Sequence, residues 1–297
     1  MQLALTLVGL ERDALDSGQS KILGALKDVR ARVKEPRPLG EAAADLILDA
    51  ADLSEVRAAA HAAVADIPVD VCVQPLEGRR KRLFVADMDS TIIGCECIDE
   101  LADFAGKKAE IAAITERAMR GELAFEGALR ERVAMLKGLP VSALQAAYDE
   151  RVRLNPGART LVRTMAANGT RCVLVSGGFT FFTSRVAEAA GFHAQRANTL
   201  GEGEGVLTGL VGEPILGREA KLAALTEEAA GLGLDMTRTM AVGDGANDLA
   251  MIKAAGLGVA YRAKPIVAAE ADAKVDDADL TALLYFQGYR AEEFVTD

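Results

Sequence analysis

Phe84-Val85-Ala86-Asp87-Met88-Asp89-Ser90-Thr91 is an apolar run that ends in two carboxylates one residue apart. Buried parallel strands read as short apolar runs, and open α/β sheets bind ligands beyond the carboxyl ends of their strands. Asp87 is therefore expected to leave the end of such a strand and face a crevice. A carboxylate there needs a cation or hydrogen-bond donors, because burying it alone is costly. Positioned by a metal and donors, an Asp can attack phosphorus. Asp89, on the same side after one intervening residue, can pass a proton to and from the leaving oxygen. Taken alone, the same D-x-D is equally well a strand followed by an acidic turn.

Three later segments favour the chemical reading. Cys172-Val173-Leu174-Val175-Ser176-Gly177-Gly178 is a second apolar run, ending in a hydroxyl and two glycines. Lys221 lies near the start of a helical pattern, Arg218-Glu219-Ala220-Lys221-Leu222. Met240-Ala241-Val242-Gly243-Asp244-Gly245-Ala246-Asn247-Asp248 reads as a third strand with a Gly-rich acidic loop. The order D-x-D-S-T, S-G-G, Lys, G-D-G-x-N-D resembles the four motifs of the haloacid dehalogenase superfamily of phosphotransferases. The resemblance implies an α/β, Rossmann-like parallel sheet and Mg²⁺, which prefers oxygen ligands. Asp87 and Asp244 would supply carboxylate oxygens, the backbone carbonyl of Asp89 another, and Asp248 would support the metal's waters. Ser176, the Gly177 N–H and Lys221 would be donors to the phosphate.

Within that superfamily, residues 83 to 290 resemble the phosphoserine phosphatases. Asp87-Met88-Asp89-Ser90-Thr91-Ile92-Ile93-Gly94-Cys95-Glu96-Cys97-Ile98-Asp99-Glu100 is similar to their first motif with its trailing glutamate. That places Glu96 against a substrate ammonium group. Phe125-Glu126-Gly127-Ala128-Leu129-Arg130-Glu131-Arg132-Val133 resembles the segment whose arginine binds the substrate carboxylate, which implies that role for Arg132. Met119 and Phe125 fall where the family lines its pocket, and Asn247 at a substrate-contacting position. An amino acid needs an anion for its ammonium and a bidentate donor for its carboxylate, and Glu96 with Arg132 offers both. Without the resemblance, Arg130 and Arg132 read as a solvated helix face. The alternatives are a same-fold enzyme acting on another small phosphate such as phosphohomoserine, a phosphotransferase between alcohols, or a non-catalytic amino-acid sensor.

Around this core, residues 1 to 80 follow a different pattern. Leu3 to Val8 reads as a strand, Ser17 to Val29 as an amphipathic helix, and the stretch to Asp49 as a strand pair interrupted by Pro36 and Pro38. Leu53 to Ala65 reads as an Ala-rich helix and Val69 to Val73 as a strand. The order βαββαβ resembles the ACT domain, a small ferredoxin-like module, and implies an amino-acid ligand there. A homodimer is a further expectation. Glu77 to Arg82 reads as a solvated basic linker, and 81–297 as the phosphatase core. Within it, about 98–154 forms a helical cap with breaks at Gly106, Gly121 and Gly138-Leu139-Pro140. Strands at Arg171 to Val175, Thr239 to Gly243 and Leu257 to Val259 are expected to alternate with helices. An irregular hairpin is expected at Asn198 to Leu210, with Glu202 and Glu204 solvated.

The formal charge of −10 argues against non-specific nucleic-acid binding, which needs clustered Lys and Arg. It also means that local groups must attract an anionic substrate. No apolar run has membrane-span length, and Met1 to Leu10 lacks the flanks of a signal peptide. A cytoplasmic enzyme with no membrane partner is expected. Cys95-Glu96-Cys97 is not a C-x-x-C site, so Cys72, Cys95, Cys97 and Cys172 read as buried thiols in a reducing compartment.

Overall fold

Leu3, Leu5 and Leu7 alternate along β1 (Gln2–Gly9), and all three pack into one buried cluster with residues of two helices. α1 (Arg12–Asp28) and α2 (Leu53–Ala63) supply Ile22, Leu26, Val56 and Ala60 to that cluster. With β2 (Arg32–Gly40), β3 (Ala43–Asp49) and β4 (Val69–Pro75), β1 forms an antiparallel sheet of order β2-β3-β1-β4. This is the expected ferredoxin-like arrangement. Pro36 and Pro38 lie on the edge strand β2, between register shifts, where their missing N–H groups cost little. α1 begins at Arg12, ahead of the expected Ser17, because a polar first turn masks the helical period. The computed structural model describes residues 1–119 and 122–296, apart from the side chains of Glu35 and Met119. The break expected at Gly121 lies outside the described residues.

β5 (Leu83–Asp87) is buried along its whole length, as a strand flanked on both sides must be. Four helices follow: α3 (Cys97–Phe104), α4 (Lys108–Met119), α5 (Phe125–Ala134) and α6 (Ser142–Arg151). An antiparallel bridge between Ile93 and Leu154 pinches the two ends of this insertion together. The chain returns through α7 (Ala158–Ala167), β6 (Arg171–Phe179), α8 (Thr180–Ala190) and β7 (Ala194–Asn198). The hairpin of β8 (Leu200–Gly203) and β9 (Val206–Val211) carries exposed Glu202 and Glu204, as expected, and packs on α5. α9 (Arg218–Gly231), β10 (Thr239–Gly243), α10 (Leu249–Ala254) and β11 (Gly258–Tyr261) come next. α11 (Pro265–Ala268), β12 (Ala273–Val275) and α12 (Ala282–Phe286) complete the core.

The second sheet is parallel, in the order β12-β11-β10-β5-β6-β7. From β5 the chain builds outward through β6 and β7, then crosses to β10 and builds outward the other way. The reversal opens a crevice between β5 and β10 at their carboxyl ends, where such folds bind ligands. β7 and β12 carry no sequence signal: the first is polar and half-buried, the second only three residues long. β6 runs past the expected Val175 to Phe179, so Ser176, Gly177 and Gly178 belong to the strand.

The junction between the sheets differs from the expected solvated linker. Arg79 Nη2 meets Asp45 Oδ2 at 2.6 Å, and Lys81 is only 4% exposed. Lys81 Nζ donates to the carbonyls of Thr237 (2.9 Å) and Gly256 (3.4 Å). Burial lowers its pKa from 10.5 to about 8. Asp70 accepts from the backbone N–H groups of Asp276 (2.9 Å) and Ala278 (2.8 Å), and Gln74 Nε2 donates to Phe286 O (2.8 Å). Arg79 and Lys81 of this basic run thus fill a seam of backbone acceptors and carboxylates, while Glu77, Arg80 and Arg82 are exposed as expected. Among the described residues, no helix is long and apolar enough to cross a membrane.

Candidate active site

Asp87, the last residue of β5, is 4% exposed. Lys221, near the start of α9, reaches under the sheet so that its Nζ lies 2.6 Å from Asp87 Oδ1 and 2.6 Å from Asp248 Oδ1. The other Asp248 oxygen accepts from the Gly245 N–H at 3.0 Å. Gly243 has no alternative, because a Cβ there would collide with the Asp248 carboxyl group. Asp244 leaves the end of β10, and its Oδ1 accepts from the Thr91 hydroxyl at 3.3 Å.

Carboxylate oxygens of Asp87, Asp244 and Asp248 lie within 4.8 Å of one another, with a single ammonium between two of them. Burial tends to lower the Lys221 pKa, but Asp87 and Asp248 more than offset it, so the amine stays protonated. Burial, then the Asp248 charge, holds the Asp87 carboxyl well above its ordinary value, and Asp244 is raised for the same two reasons. Lys221 between two of these acids, with Lys264 acting on Asp244 from the cleft, leaves negative charge unmatched. Hard oxygen donors with excess negative charge fit Mg²⁺.

Asp89 sits just beyond the strand end, on an irregular turn over Met88–Ile92. Ser90 holds a left-handed conformation in this turn (φ 58°), which swings the chain around the carboxyl end of β5. Asp89 Oδ1 accepts from the Cys97 N–H (2.9 Å) and Oδ2 from the Ser176 hydroxyl (2.7 Å). Ser176 Oγ in turn accepts from the Gly178 N–H at 2.8 Å. Gly178 keeps this corner open: a Cβ on it would stand 3.0 Å from Ser176 Oγ and 3.2 Å from Asp89 Oδ2. Ser176, expected at the phosphate, therefore orients Asp89 here. Lys221, likewise expected at the phosphate, bridges Asp87 and Asp248.

A cleft of about 310 Å³ opens above these groups, between the sheet and the cap. Its core side carries Asp87, Asp89, Gly177, Asp244 and Asn247; its cap side carries Glu96, Phe125 and Arg132. Phe125 packs directly on Gly177, so cap and core touch at the expected phosphate position. Glu96 accepts from the Ser90 hydroxyl at 2.7 Å. Solvent reaches it through the cleft mouth, yet the surrounding protein displaces enough water to push its carboxyl up to about 7, helped by Asp89. Burial lowers the Arg132 guanidinium against the pull of Asp99 and Glu96. Its Nε donates to Ala128 O within its own helix (3.3 Å), and among the described residues no carboxylate pairs with it. Glu96 and the Arg132 fork thus share a wall above Asp87. Met119, expected to line the pocket, has a side chain outside the described residues.

Sequence reasoning assigned no role to Thr91, the Cys97 N–H or Lys264. Thr91 stood in the quoted stretch, but only its hydrogen bond to Asp244 gives it a part. Lys264 lines the cleft, and its backbone N–H donates to Asp244 O at 3.1 Å. Its signal was available: a cation just beyond a parallel strand, immediately before a helix-starting proline.

A model of the haloacid dehalogenase-like hydrolases matches residues 84–253, from β5 to α10. The phosphoserine phosphatase of Polaromonas sp. is 46% identical over 221 residues, which cover 73% of this chain and 94% of that protein. A crystal structure of a haloacid dehalogenase family hydrolase from Salmonella enterica serovar Typhi superposes with a TM-score of 0.86 at 29% identity, covering 96% of this chain and 98% of that one. A substrate-bound phosphoserine phosphatase complex superposes with a TM-score of 0.64 at 38% identity, covering 69% and 98%. The chain belongs to the haloacid dehalogenase-like hydrolase family.

Proposed function

We propose that this chain hydrolyses O-phosphoserine to serine and phosphate, the last step of serine biosynthesis. The observation that carries the reading is a single cleft lined by a buried aspartate, by Arg132, which has no carboxylate partner among the described residues, and by Glu96, whose carboxyl is held by the Ser90 hydroxyl. A phosphate ester that is also a zwitterion matches all three. The relatives named phosphoserine phosphatase support it.

In this reading Arg132 grips the substrate carboxylate and Glu96 its ammonium, which sets the phosphate over Asp87 between Gly177 and Asn247. Phe125 covers the site and excludes water. Asp87 attacks phosphorus while Asp89, carrying a proton, gives it to the departing serine oxygen. After serine leaves, ionised Asp89 takes a proton from water, and the water cleaves the aspartyl phosphate. Ser176 and the Cys97 N–H hold both Asp89 oxygens in place for these transfers, and Lys221 keeps Asp87 aligned. Mg²⁺ would be held by Asp87, Asp244 and the Asp89 carbonyl with Asp248 behind them; when bound, it neutralises charge on the phosphate oxygens. A cytoplasmic location, an amino-acid ligand on residues 1–80 and a homodimer are compatible with this reading and are not required by it.

Phosphate release from phosphorylated amino acids, sugars and p-nitrophenyl phosphate, with Mg²⁺ and after chelation, tests it. O-Phosphoserine should be the best substrate, and chelation should stop turnover until Mg²⁺ is restored. Arg132→Ala should lower kcat/KM for phosphoserine roughly ten- to a hundredfold, the worth of a charge-assisted hydrogen bond. p-Nitrophenyl phosphate has no carboxylate and should change far less. Equal loss on both esters would make Arg132 a structural cap residue and remove the case for phosphoserine.

A further inference from the structure

Cys95 and Cys97 flank Glu96, and the reaction uses neither thiol. Glu96 has extended backbone (φ −96°, ψ 109°). In extended chain, side chains two residues apart share one face and the residue between them points the other way. The i, i+2 spacing across extended Glu96 therefore keeps the two cysteines close, and the Cys97 N–H lies 2.9 Å from Asp89 Oδ1. Cys97 is 1% exposed, whereas Cys95 is half-buried against the core, with its Sγ 3.9 Å from the Arg151 carbonyl. Cys95 thus departs from the expectation of four buried thiols.

We propose that Cys95 and Cys97 close into a reversible disulfide that switches the catalytic site off. The oxidant is a small-molecule disulfide. The thiolate of Cys95, the more exposed of the two, attacks one of its sulfurs and releases one thiol, leaving a mixed disulfide on Cys95. Cys97 sulfur then attacks Cys95 sulfur and expels the second thiolate, which takes up the proton that Cys97 loses. Two protein thiols are oxidised to one disulfide, and the reagent is reduced to two thiols.

Geometry makes the closed form inactive. Two extended residues span roughly 6.4–6.8 Å, the upper limit for a disulfide, whose Cα atoms usually lie about 5.5–6 Å apart. Closure must flex Glu96 and pull Cys97 toward Cys95. The Cys97 N–H that fixes Asp89 Oδ1 moves with it, and so does the Glu96 carboxylate. Acid–base help and substrate recognition would be lost in one motion.

The test is to incubate the full chain with oxidised glutathione and follow mass and phosphate release together. Activity on phosphoserine and on p-nitrophenyl phosphate should fall about a hundredfold or more, the low end for lost acid–base help. The loss should track removal of two hydrogens from a peptide containing both cysteines, and dithiothreitol should reverse it. Cys95→Ser and Cys95→Ala should stay active in the oxidant. The proposal is overturned if either variant is inactivated like the parent, if the bridge forms without loss of activity, or if glutathione remains on Cys95 and no bridge forms.

Discussion

Charges are buried in two places in this molecule, and they are balanced differently. At the junction between the two sheets the charges are met locally: Arg79 Nη2 meets Asp45, Asp70 takes backbone N–H groups, and Lys81 gives to two carbonyls, although Arg79 Nη1 is buried without a hydrogen-bond partner. At the carboxyl end of β5, Lys221 bridges two of three clustered carboxylates, and the third, Asp244, feels only the more distant charges of Lys221 and Lys264. A charge that only holds structure must be matched within the chain, because an unmatched one destabilises the fold. A deficit persists where a ligand completes the balance. The surplus of negative charge at Asp87, Asp244 and Asp248 therefore separates a working site from a structural one more sharply than burial does.

The largest expected effect tests that surplus directly. Asp87→Asn should lower turnover by roughly 10⁴-fold or more, since the amide cannot form the acyl phosphate. In metal-free buffer the same variant should melt at a higher temperature than the parent, because one of three crowded negative charges is gone. A lower melting temperature without metal would mean that the cluster is already balanced, and the contrast with the junction would fail.

Asp89→Asn comes next. Proton transfer is typically worth about 10²–10⁴-fold, and that loss should appear with Mg²⁺ affinity largely kept, since the expected ligand at Asp89 is a backbone carbonyl. A deficit under tenfold in steady-state assays would assign the proton to another group.

Asp45→Ala should do the reverse of Asp87→Asn. It strands Arg79 in the seam, and losing one member of a buried pair costs about 3–5 kcal/mol. Denaturant unfolding should register this, while kcat of the molecules that remain folded stays at the parent value. A change in kcat would show that the junction communicates with the cleft.

How much of this was legible follows the same division. Asp87, Asp89, Asp244 and Lys221 were readable because each ends a strand or starts a helix in a fixed order, and short apolar runs of aliphatic residues announce buried parallel strands. Glu96 and Arg132 became readable only through resemblance, since charges at helical or loop spacing look solvated. The junction was misread for the same reason: Arg79 and Lys81 sit in a run of basic residues, and only tertiary packing supplies their acceptors. β7 escaped notice because its half-buried Ala194–Asn198 lacks the apolar period that marks a strand. The orientation of Asp89 by Ser176 was invisible because local sequence does not reveal which partner a hydroxyl 87 residues away chooses.

The smallest expected effect probes the balance at the junction by pH. Burial holds Lys81 at about 8 in the folded chain, below its ordinary 10.5. Between those values the unfolded chain binds the proton and the folded chain largely does not, so stability should rise with pH across that window. Below about 8 both states carry the charge, and the cost of burying it is paid in full. Lys81→Met removes the titrating group, so the difference in unfolding free energy between parent and variant should shift in the parent's favour as pH climbs above 8. That difference cancels other groups titrating in the same range, which is why it is a cleaner readout than either curve alone. A flat difference across the window would mean that Lys81 keeps its proton in the folded state, held by the Thr237 and Gly256 carbonyls strongly enough to offset its burial.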